Sequence, residues 1–193
     1  KSGWSIFILR LRWEMSEEPK ENMNTNIENE LKIIKKSTRL AMPEDDTYIF
    51  RLGVALYGFS SINSFMTEIL CYIDSGQKSN EVLSNDTSGR ILDKFRKSRV
   101  LIPKNNREVR NIMLETANKF EKLNTERTDI VHAYPITGSQ EQQILHRRKD
   151  TKNKYFEVTN EFLDDFIQRL EEVSDGLYAI RKIIKPEFGG LND

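Results

Sequence analysis

The sequence predicts an all-α fold, an up-and-down bundle of four to five helices with a small β-hairpin or three-stranded flap inserted before the last helix. Two observations lead to this prediction. Apolar residues recur at helical spacing along most of the chain from residue 26 onward. Between 134 and 158 the pattern changes to short runs separated by Gly138 and by a polar stretch. Because 193 residues are enough for one core and few for two, we expect a single domain.

The two ends of the chain are predicted to lie outside this domain. Residues 1–22 are expected to be an N-terminal extension, either non-native or flexible, and residues 189–193 a tail, which leaves 23–188 as the domain. The run at 4–13 is apolar, but it has about half the roughly 20 residues of a membrane-spanning helix and contains two arginines. It is followed by an acidic, polar stretch without a small-residue cleavage site. We therefore expect neither a membrane span nor a signal peptide.

Two helices are predicted in the first part of the domain. Residues 26–39 form a short amphipathic helix with Leu31 and Ile34 on its apolar face. A second helix has Pro43 in its first turn, where three acidic residues complement the positive end of the helix dipole, and it runs to about Asp74, with Gly76 as its stop. This helix is apolar on two faces, which predicts burial between neighbours or across an oligomer interface. Its second face consists of Phe50, Val54, Tyr57, Phe65 and Tyr72.

Turn and cap signals predict further segments. Residues 77–87 are polar and are expected to form a loop. Ser88 is placed as the N-cap of a helix that Pro103 ends. The last helix is expected over 160–184, where apolar residues keep one stripe and Pro186 follows.

One apolar stripe leads to a charged residue. From about Asn105 a helix runs to Pro135, and its apolar spacing continues through Leu123 to Arg127. An arginine in an apolar seam needs an anionic partner, because removing its charge from water is costly. The partner is either a carboxylate, for which Glu68 on the second helix is a candidate, or a phosphate, whose geometry the guanidinium fork matches.

His132 lies five positions after Arg127, in the last turn of the same helix, where the helix dipole favours positive charge. A histidine there is either a helix cap or a general acid or base. Five positions correspond to about 140° around a helix axis, so the two side chains do not share a face. They meet either if the helix unwinds before Pro135 or if they come from two protomers. Tyr134, two residues further on, is either a packed aromatic residue or a regulated one.

The charge balance limits how the chain can bind nucleic acid. Thirty basic side chains equal thirty acidic ones, so any affinity for RNA must come from local clusters. A candidate RNA-binding cluster lies on the predicted flap and consists of Arg147, Arg148, Lys149, Lys152 and Lys154. The neighbouring His146 is expected to be a surface residue.

The remaining composition limits the chemistry. The single cysteine, Cys71, cannot form an intramolecular disulfide, which favours a reducing, cytoplasmic location. The sequence has no P-loop, no paired-cysteine zinc site and no cluster of histidines. We therefore expect neither a metal nor another cofactor.

The spacing of Arg127, His132 and Tyr134 resembles the R-x4-6-H motif of the HEPN superfamily, in its version R-x4-H-x-Y. HEPN domains are helical bundles with this motif towards the end of a long helix. One departure is Thr128, because HEPN ribonucleases usually carry Asn, Asp or His directly after the arginine, and here Asp129 follows one place later. The candidate supporting residues are Thr128, Asp129 and Glu68.

The resemblance implies a metal-independent endoribonuclease that acts as a homodimer, with two motifs lining one cleft. In such an enzyme His132 moves the proton of the attacking ribose 2′-hydroxyl or of the leaving oxygen, and Arg127 stabilises the charge on the pentacoordinate phosphate. Members are commonly toxins or abortive-infection proteins of bacterial defence. Those with the tyrosine often pair with a nucleotidyltransferase antitoxin that modifies it, which makes Tyr134 a candidate regulatory residue. The alternative is a non-catalytic HEPN-like helical module that binds RNA or a protein.

Overall fold

The computed structural model describes residues 20–37, 42–138, 141–148 and 155–188. The chain divides into two units, with the boundary between Met42 and Pro43. The first unit contains helix α1 (Lys20–Ser37), which begins earlier than the predicted start at residue 26. Most of the predicted extension 1–22 and all of the predicted tail 189–193 lie outside the described residues, so both stay predictions.

The second unit is a bundle of helices with a small sheet. Its helices are α2 (Asp46–Ile73), α3 (Ser79–Asn85), α4 (Ser88–Ser98), α5 (Arg107–Val131) and α6 (Asn160–Ile184). Helices α2 and α5 lie across the bundle from each other, and each packs against both α4 and α6. The predicted helical bundle with a β insertion before its last helix is confirmed.

Ion pairs show in which direction the long helices run. The pairs between α2 and α6 are Arg51–Asp164 and Glu68–Arg181, and those between α5 and α6 are Glu126–Arg169 and Lys119–Glu172. The order of the first two pairs makes α2 and α6 parallel, and the order of the last two makes α5 antiparallel to α6. The first turns of α2 and α6 and the last turns of α5 therefore lie at one end of the bundle.

The core forms where the apolar faces of four helices meet. Its largest fully buried side chains include one phenylalanine from each of α2, α4, α5 and α6, namely Phe59, Phe95, Phe120 and Phe166. Burying one such ring stabilises the fold by about 1.5–3 kcal/mol relative to leaving it exposed. The rings of Phe59 and Phe120 stack across the bundle with their centroids 5.3 Å apart, so α2 and α5 meet at its centre.

A three-stranded antiparallel sheet precedes α6. Its strands β1 (Tyr134–Thr137), β2 (Gln143–Arg148) and β3 (Tyr155–Val158) pair in the order β1-β2-β3. The predicted flap is thereby confirmed as a three-stranded one. The Leu145 N–H on β2 donates to the Tyr48 hydroxyl at 2.9 Å, which fixes the sheet to the first turn of α2. The end of the bundle that carries this sheet is called the sheet end below.

Two predictions about the segment between α2 and α5 are wrong. The predicted loop 77–87 contains the short helix α3, which burial of Val82 holds against the core. The N-cap of α4 is Thr87 rather than Ser88, because the Thr87 side chain accepts the hydrogen bond from the Arg90 N–H. Serine is somewhat preferred over threonine at N-caps, so local preference favoured Ser88, one residue too late.

Helix α5 ends earlier than predicted. It begins after Asn106, whose side chain accepts a hydrogen bond from the Val109 N–H, and its C-cap is His132. Pro135, predicted to end the helix, lies instead in β1. This strand is at the edge of the sheet, where a proline is tolerated because one side of the strand has no partner for an N–H to bond.

Candidate anion-binding site at the end of helix α5

Arg127 lies on α5 at the sheet end of the bundle, where it is half-buried. Its Cζ atom is 5.2 Å from the centroid of the Phe59 ring on α2. Side chains on a helix point back toward its N-terminus, which is how Arg127 reaches the level of Phe59. The arginine thus follows the apolar stripe of α5, as its spacing predicts, and meets an aromatic ring at the end of that stripe.

The carboxylates next to Arg127 are engaged elsewhere. Glu126 accepts a hydrogen bond from Arg169 at 2.6 Å, and Asp129 accepts one from Arg147 at 2.9 Å. Among the described residues, none forms an ion pair with Arg127 itself. Its guanidinium is therefore a half-buried cation whose N–H donors are available to an anion from outside the chain.

Glu68, predicted as a candidate partner for Arg127, is not at this site. It accepts a hydrogen bond from the Tyr72 hydroxyl at 2.7 Å and lies 3.9 Å from a guanidinium nitrogen of Arg181 on α6. Burial, reinforced by the hydrogen bond to Glu68, raises the pKa of Tyr72. Glu68 therefore belongs to the contact between α2 and α6.

His132 is exposed and caps α5. Its backbone N–H donates to the Thr128 carbonyl at 3.2 Å, so the helix stays intact up to this residue. The helix consequently does not unwind between Arg127 and His132, and their side chains leave the axis about 140° apart. Of the two routes that the sequence left open for a joint site, only a meeting of two protomers remains.

Thr128 and Asp129, the other two candidate supporting residues, are engaged within the fold. The Thr128 hydroxyl donates to the Asn124 carbonyl at 2.9 Å. Asp129 is 8% exposed and pairs with Arg147, which also donates to the Thr128 carbonyl at 3.0 Å. Together these contacts attach β2 to the last turns of α5 and hold the helix end in place.

The predicted RNA-binding cluster is described only in part. Arg147 is the member with described side-chain contacts, and these are the structural ones to α5. The side chain of Arg148 and all of Lys149, Lys152 and Lys154 lie outside the described residues, so their role stays a prediction.

Tyr134 and His146 form an aromatic contact on the sheet. They face each other across β1 and β2, with ring centroids 5.5 Å apart in an edge-on arrangement. Tyr134 is 50% exposed and remains accessible. The prediction that His146 is a surface residue is wrong, since it is 8% exposed in the middle strand between Tyr134 and Glu157. The alternation of Ile144 and His146 on one face of β2 was the sequence signal for this burial.

Phe59 and Phe120 are the site residues that the sequence did not identify. Both fit the apolar stripes of their helices, and no local pattern distinguishes them from other core residues. The contact between the two rings, and that between Phe59 and Arg127, depend on the register between α2 and α5, which are not neighbours in sequence. No signal in the sequence could have placed Phe59 beneath the arginine.

Within the described part of the chain, no helix is long and apolar enough to cross a membrane. No group of three or more metal-ligating side chains lies together among the described residues either.

Comparison of the chain with protein-family models, with curated proteins and with solved structures finds no match. Its function is therefore inferred from the chain itself.

Proposed function

We propose that this protein is a metal-independent endoribonuclease of the HEPN type, acting in a toxin-antitoxin system or in antiphage defence in the cytoplasm. The ribose 2′-oxygen attacks the adjacent phosphorus, and the bond from phosphorus to the 5′-oxygen breaks. The products are a 2′,3′-cyclic phosphate and a 5′-hydroxyl. His132 moves the proton of the attacking or the leaving oxygen, and Arg127 binds the phosphate on which negative charge develops.

The observation that carries this proposal is the state of Arg127. A half-buried arginine with no ion pair among the described residues is unusual, because arginine is rarely removed from water without an anion. A phosphodiester is an anion that matches the guanidinium fork. The spacing from Arg127 to His132 and Tyr134 resembles the HEPN motif. This resemblance favours cleavage of a phosphodiester over the binding of some other anion at the site.

The proposed enzyme is a homodimer, because Arg127 and His132 diverge within one chain. Exposed apolar side chains adjoin His132 on both sides, with Val131 at 48% and Tyr134 at 50% exposure. On α2, Phe50 and Tyr57 of the predicted second apolar face are also exposed. Such side chains suit a contact with a second copy of the chain.

Mixing two inactive variants tests whether the site is shared. Purified Arg127→Ala and His132→Ala chains are combined, unfolded together and refolded so that protomers exchange. If each site takes its arginine and its histidine from different chains, a mixed dimer has one intact site, and about a quarter of the parent activity returns. No recovery, with mixed dimers shown by mass spectrometry of differently tagged chains, would contradict a shared site.

Cleavage of RNA without metal tests the reaction. A structured RNA is incubated with the parent or with His132→Ala in excess EDTA, and the product ends are analysed for cyclic phosphate. We expect the parent to cleave and the variant to lose about 10²–10⁴-fold in rate. Asn111→Ala, an exposed change on the same helix, is the matched control and should cleave like the parent. Equal cleavage by the parent and His132→Ala would contradict the assignment of His132.

The same motif provides the proposed means of control. The ring of Tyr134 is half-exposed at the edge of the sheet, which supports modification of its hydroxyl by a nucleotidyltransferase-type antitoxin. Tyr134→Phe should leave cleavage unchanged while removing the acceptor for that modification.

A second candidate function is a non-catalytic HEPN-like module that binds RNA or a protein. The engagement of Thr128 with Asn124 and of Asp129 with Arg147 favours it, because both residues after Arg127 then serve the fold. This candidate predicts RNA affinity that falls steeply with salt, together with no cleavage by the parent in the assay above.

A further inference from the structure

We propose that the stacked rings of Phe59 and Phe120 form a platform that holds Arg127 in the orientation in which it binds phosphate, which makes Phe59 a positioning residue of the site. The inference rests on the proposed function, because it concerns how Arg127 meets the phosphodiester. It adds a residue that belongs to neither the motif nor its helix.

The platform is rigid because both rings are fixed in the core. Phe59 is 1% exposed and Phe120 is 0% exposed. Their centroids are 5.3 Å apart and their planes differ by 16°, so they form a parallel stack that ties α2 to α5. Arg127 lies two helical turns beyond Phe120 on the same face of α5, and its Cζ is 5.2 Å from the Phe59 centroid.

The contact suits an arginine that must bind an anion. The negative face of an aromatic ring attracts a guanidinium, which restricts a side chain that otherwise has many rotamers. A ring face offers no strong hydrogen-bond acceptor, so the contact orients the group while its N–H donors stay available. A carboxylate partner would also orient the arginine, but it would occupy those donors.

The chain contains a matched contact in which a carboxylate lies beside the arginine. Arg181 on α6 lies over Phe65, with its Cζ 5.1 Å from the ring centroid, and also over Tyr178. Glu68 lies 3.9 Å from its guanidinium. Phe65 is as deeply buried as Phe59, so replacing either ring removes a similar amount of core packing.

The test compares Phe59→Leu with the control Phe65→Leu. Leucine keeps an apolar side chain in the core and removes the ring face. The first measurement is the chemical shift of the Arg127 side-chain protons by NMR, which a ring beneath them moves upfield. The second is the kcat and KM of RNA cleavage in EDTA. The third compares kcat and KM of the single variant Arg127→Lys with those of the double variant Arg127→Lys/Phe59→Leu.

We expect Phe59→Leu to abolish the upfield shift of Arg127 and to lower kcat by about 10- to 100-fold, with KM changed by less than about threefold. Phe65→Leu should change neither the Arg127 shift nor kcat, although it should lower the free energy of unfolding by a comparable amount. Adding Phe59→Leu to Arg127→Lys should cost no more than about twofold further, because Phe59 acts through the guanidinium. If Phe59→Leu does not fold, Phe59→Met replaces it in the same comparison.

The outcomes separate this inference from the proposed function. An unchanged Arg127 shift in Phe59→Leu, or equal losses of kcat in Phe59→Leu and Phe65→Leu, would overturn the platform while leaving the nuclease in place. A parent that cleaves no RNA would overturn the nuclease and, with it, the role of Phe59 in phosphate binding. Loss of the Arg127 shift in Phe59→Leu alone would then show only that the Phe59 ring lies against Arg127.

Discussion

Two half-buried arginines of the bundle, Arg127 on α5 and Arg181 on α6, have similar settings and different partners. Each lies over a core phenylalanine, at 5.2 Å and 5.1 Å from the ring centroid. Arg181 also has the Glu68 carboxylate nearby, whereas no described residue forms an ion pair with Arg127. The contact with a ring is therefore common to both, and the carboxylate is what distinguishes them.

This difference distinguishes Arg181, whose charge stabilises the fold, from Arg127, whose charge is available to a ligand. Arg181 stabilises the contact between α2 and α6, because its charge is neutralised within the chain. Arg127 has no such counter-charge in the described part of the chain, although Glu126 and Asp129 are its near neighbours in sequence. The proximity of an acid in sequence thus says little about which charges are paired in the fold.

The largest expected effect comes from replacing each of the two arginines with alanine. Arg127→Ala should lower RNA cleavage by about 10²–10³-fold with little loss of stability, because it removes charge stabilisation of the transition state. Arg181→Ala should leave cleavage within about twofold of the parent and lower the free energy of unfolding by about 1 kcal/mol. Cleavage rates and urea unfolding measure both effects. If Arg181→Ala stays folded and loses cleavage, the assignment of Arg181 to the fold alone is contradicted.

A smaller effect is expected at the contact between β2 and α5. Arg147→Ala removes the partner of Asp129 and the hydrogen bond to the Thr128 carbonyl, and should lower the free energy of unfolding by about 2 kcal/mol. Arg51→Ala, whose partner Asp164 is more exposed, is the matched control and should cost less than about 1 kcal/mol. Urea unfolding checks the pair. If Arg147→Ala weakens RNA binding and leaves stability unchanged, its predicted role in RNA binding is the correct one.

The smallest effect concerns a hydrogen-bonded carboxylate, Asp45, at the same end of the bundle as Arg127. Hydrogen bonds from Thr47, and then from Asn160 on α6, lower the pKa of Asp45 to about 2. A carboxyl whose pKa is lower in the folded state stabilises the fold above its unfolded pKa, near 4, and this contribution disappears as the pH falls toward 2. Because the side chain is exposed, we expect less than about 1 kcal/mol.

Asp45 is the N-cap of α2, and its side chain accepts a hydrogen bond from the Thr47 N–H. The variant Asp45→Asn keeps a capping side chain and removes the titration. Its free energy of unfolding should lie below that of the parent at pH 7, and the difference should shrink between pH 4 and pH 2. The rate of RNA cleavage at pH 7 should not change. An unchanged rate would show that a charged residue can lie at the sheet end without taking part in cleavage. A difference that grows toward pH 2 would contradict the assigned pKa.

The fold was largely predictable because its signals are local. The apolar stripes of α5 and α6 and the change of pattern at 134–158 each depend on a few neighbouring residues, and the helices and the sheet follow them. The errors arose where tertiary contacts outweigh local signals. The polar segment 77–87 contains a helix because Val82 packs into the core. Helix α5 ends at Val131, so Pro135 belongs to the sheet and not to the helix.

The candidate site was predictable in its position along the chain and not in its environment. The stripe of α5 placed Arg127 on the face of the helix that packs against α2, and the helix period indicated that His132 faces another way. Which carboxylate neutralises which arginine was not predictable, because Glu68 and Arg181 are far apart in sequence and meet only when α2 packs beside α6.

The sequence by itself determined the helical architecture, the β insertion, and the motif of Arg127, His132 and Tyr134, because these depend on spacing along one chain segment. Only the tertiary structure decided that Phe59 lies under Arg127, that Glu68 pairs with Arg181 and that His146 is buried. These contacts join residues from different helices or strands. Their distances are set by packing in the core, and no pattern within a single segment encodes them.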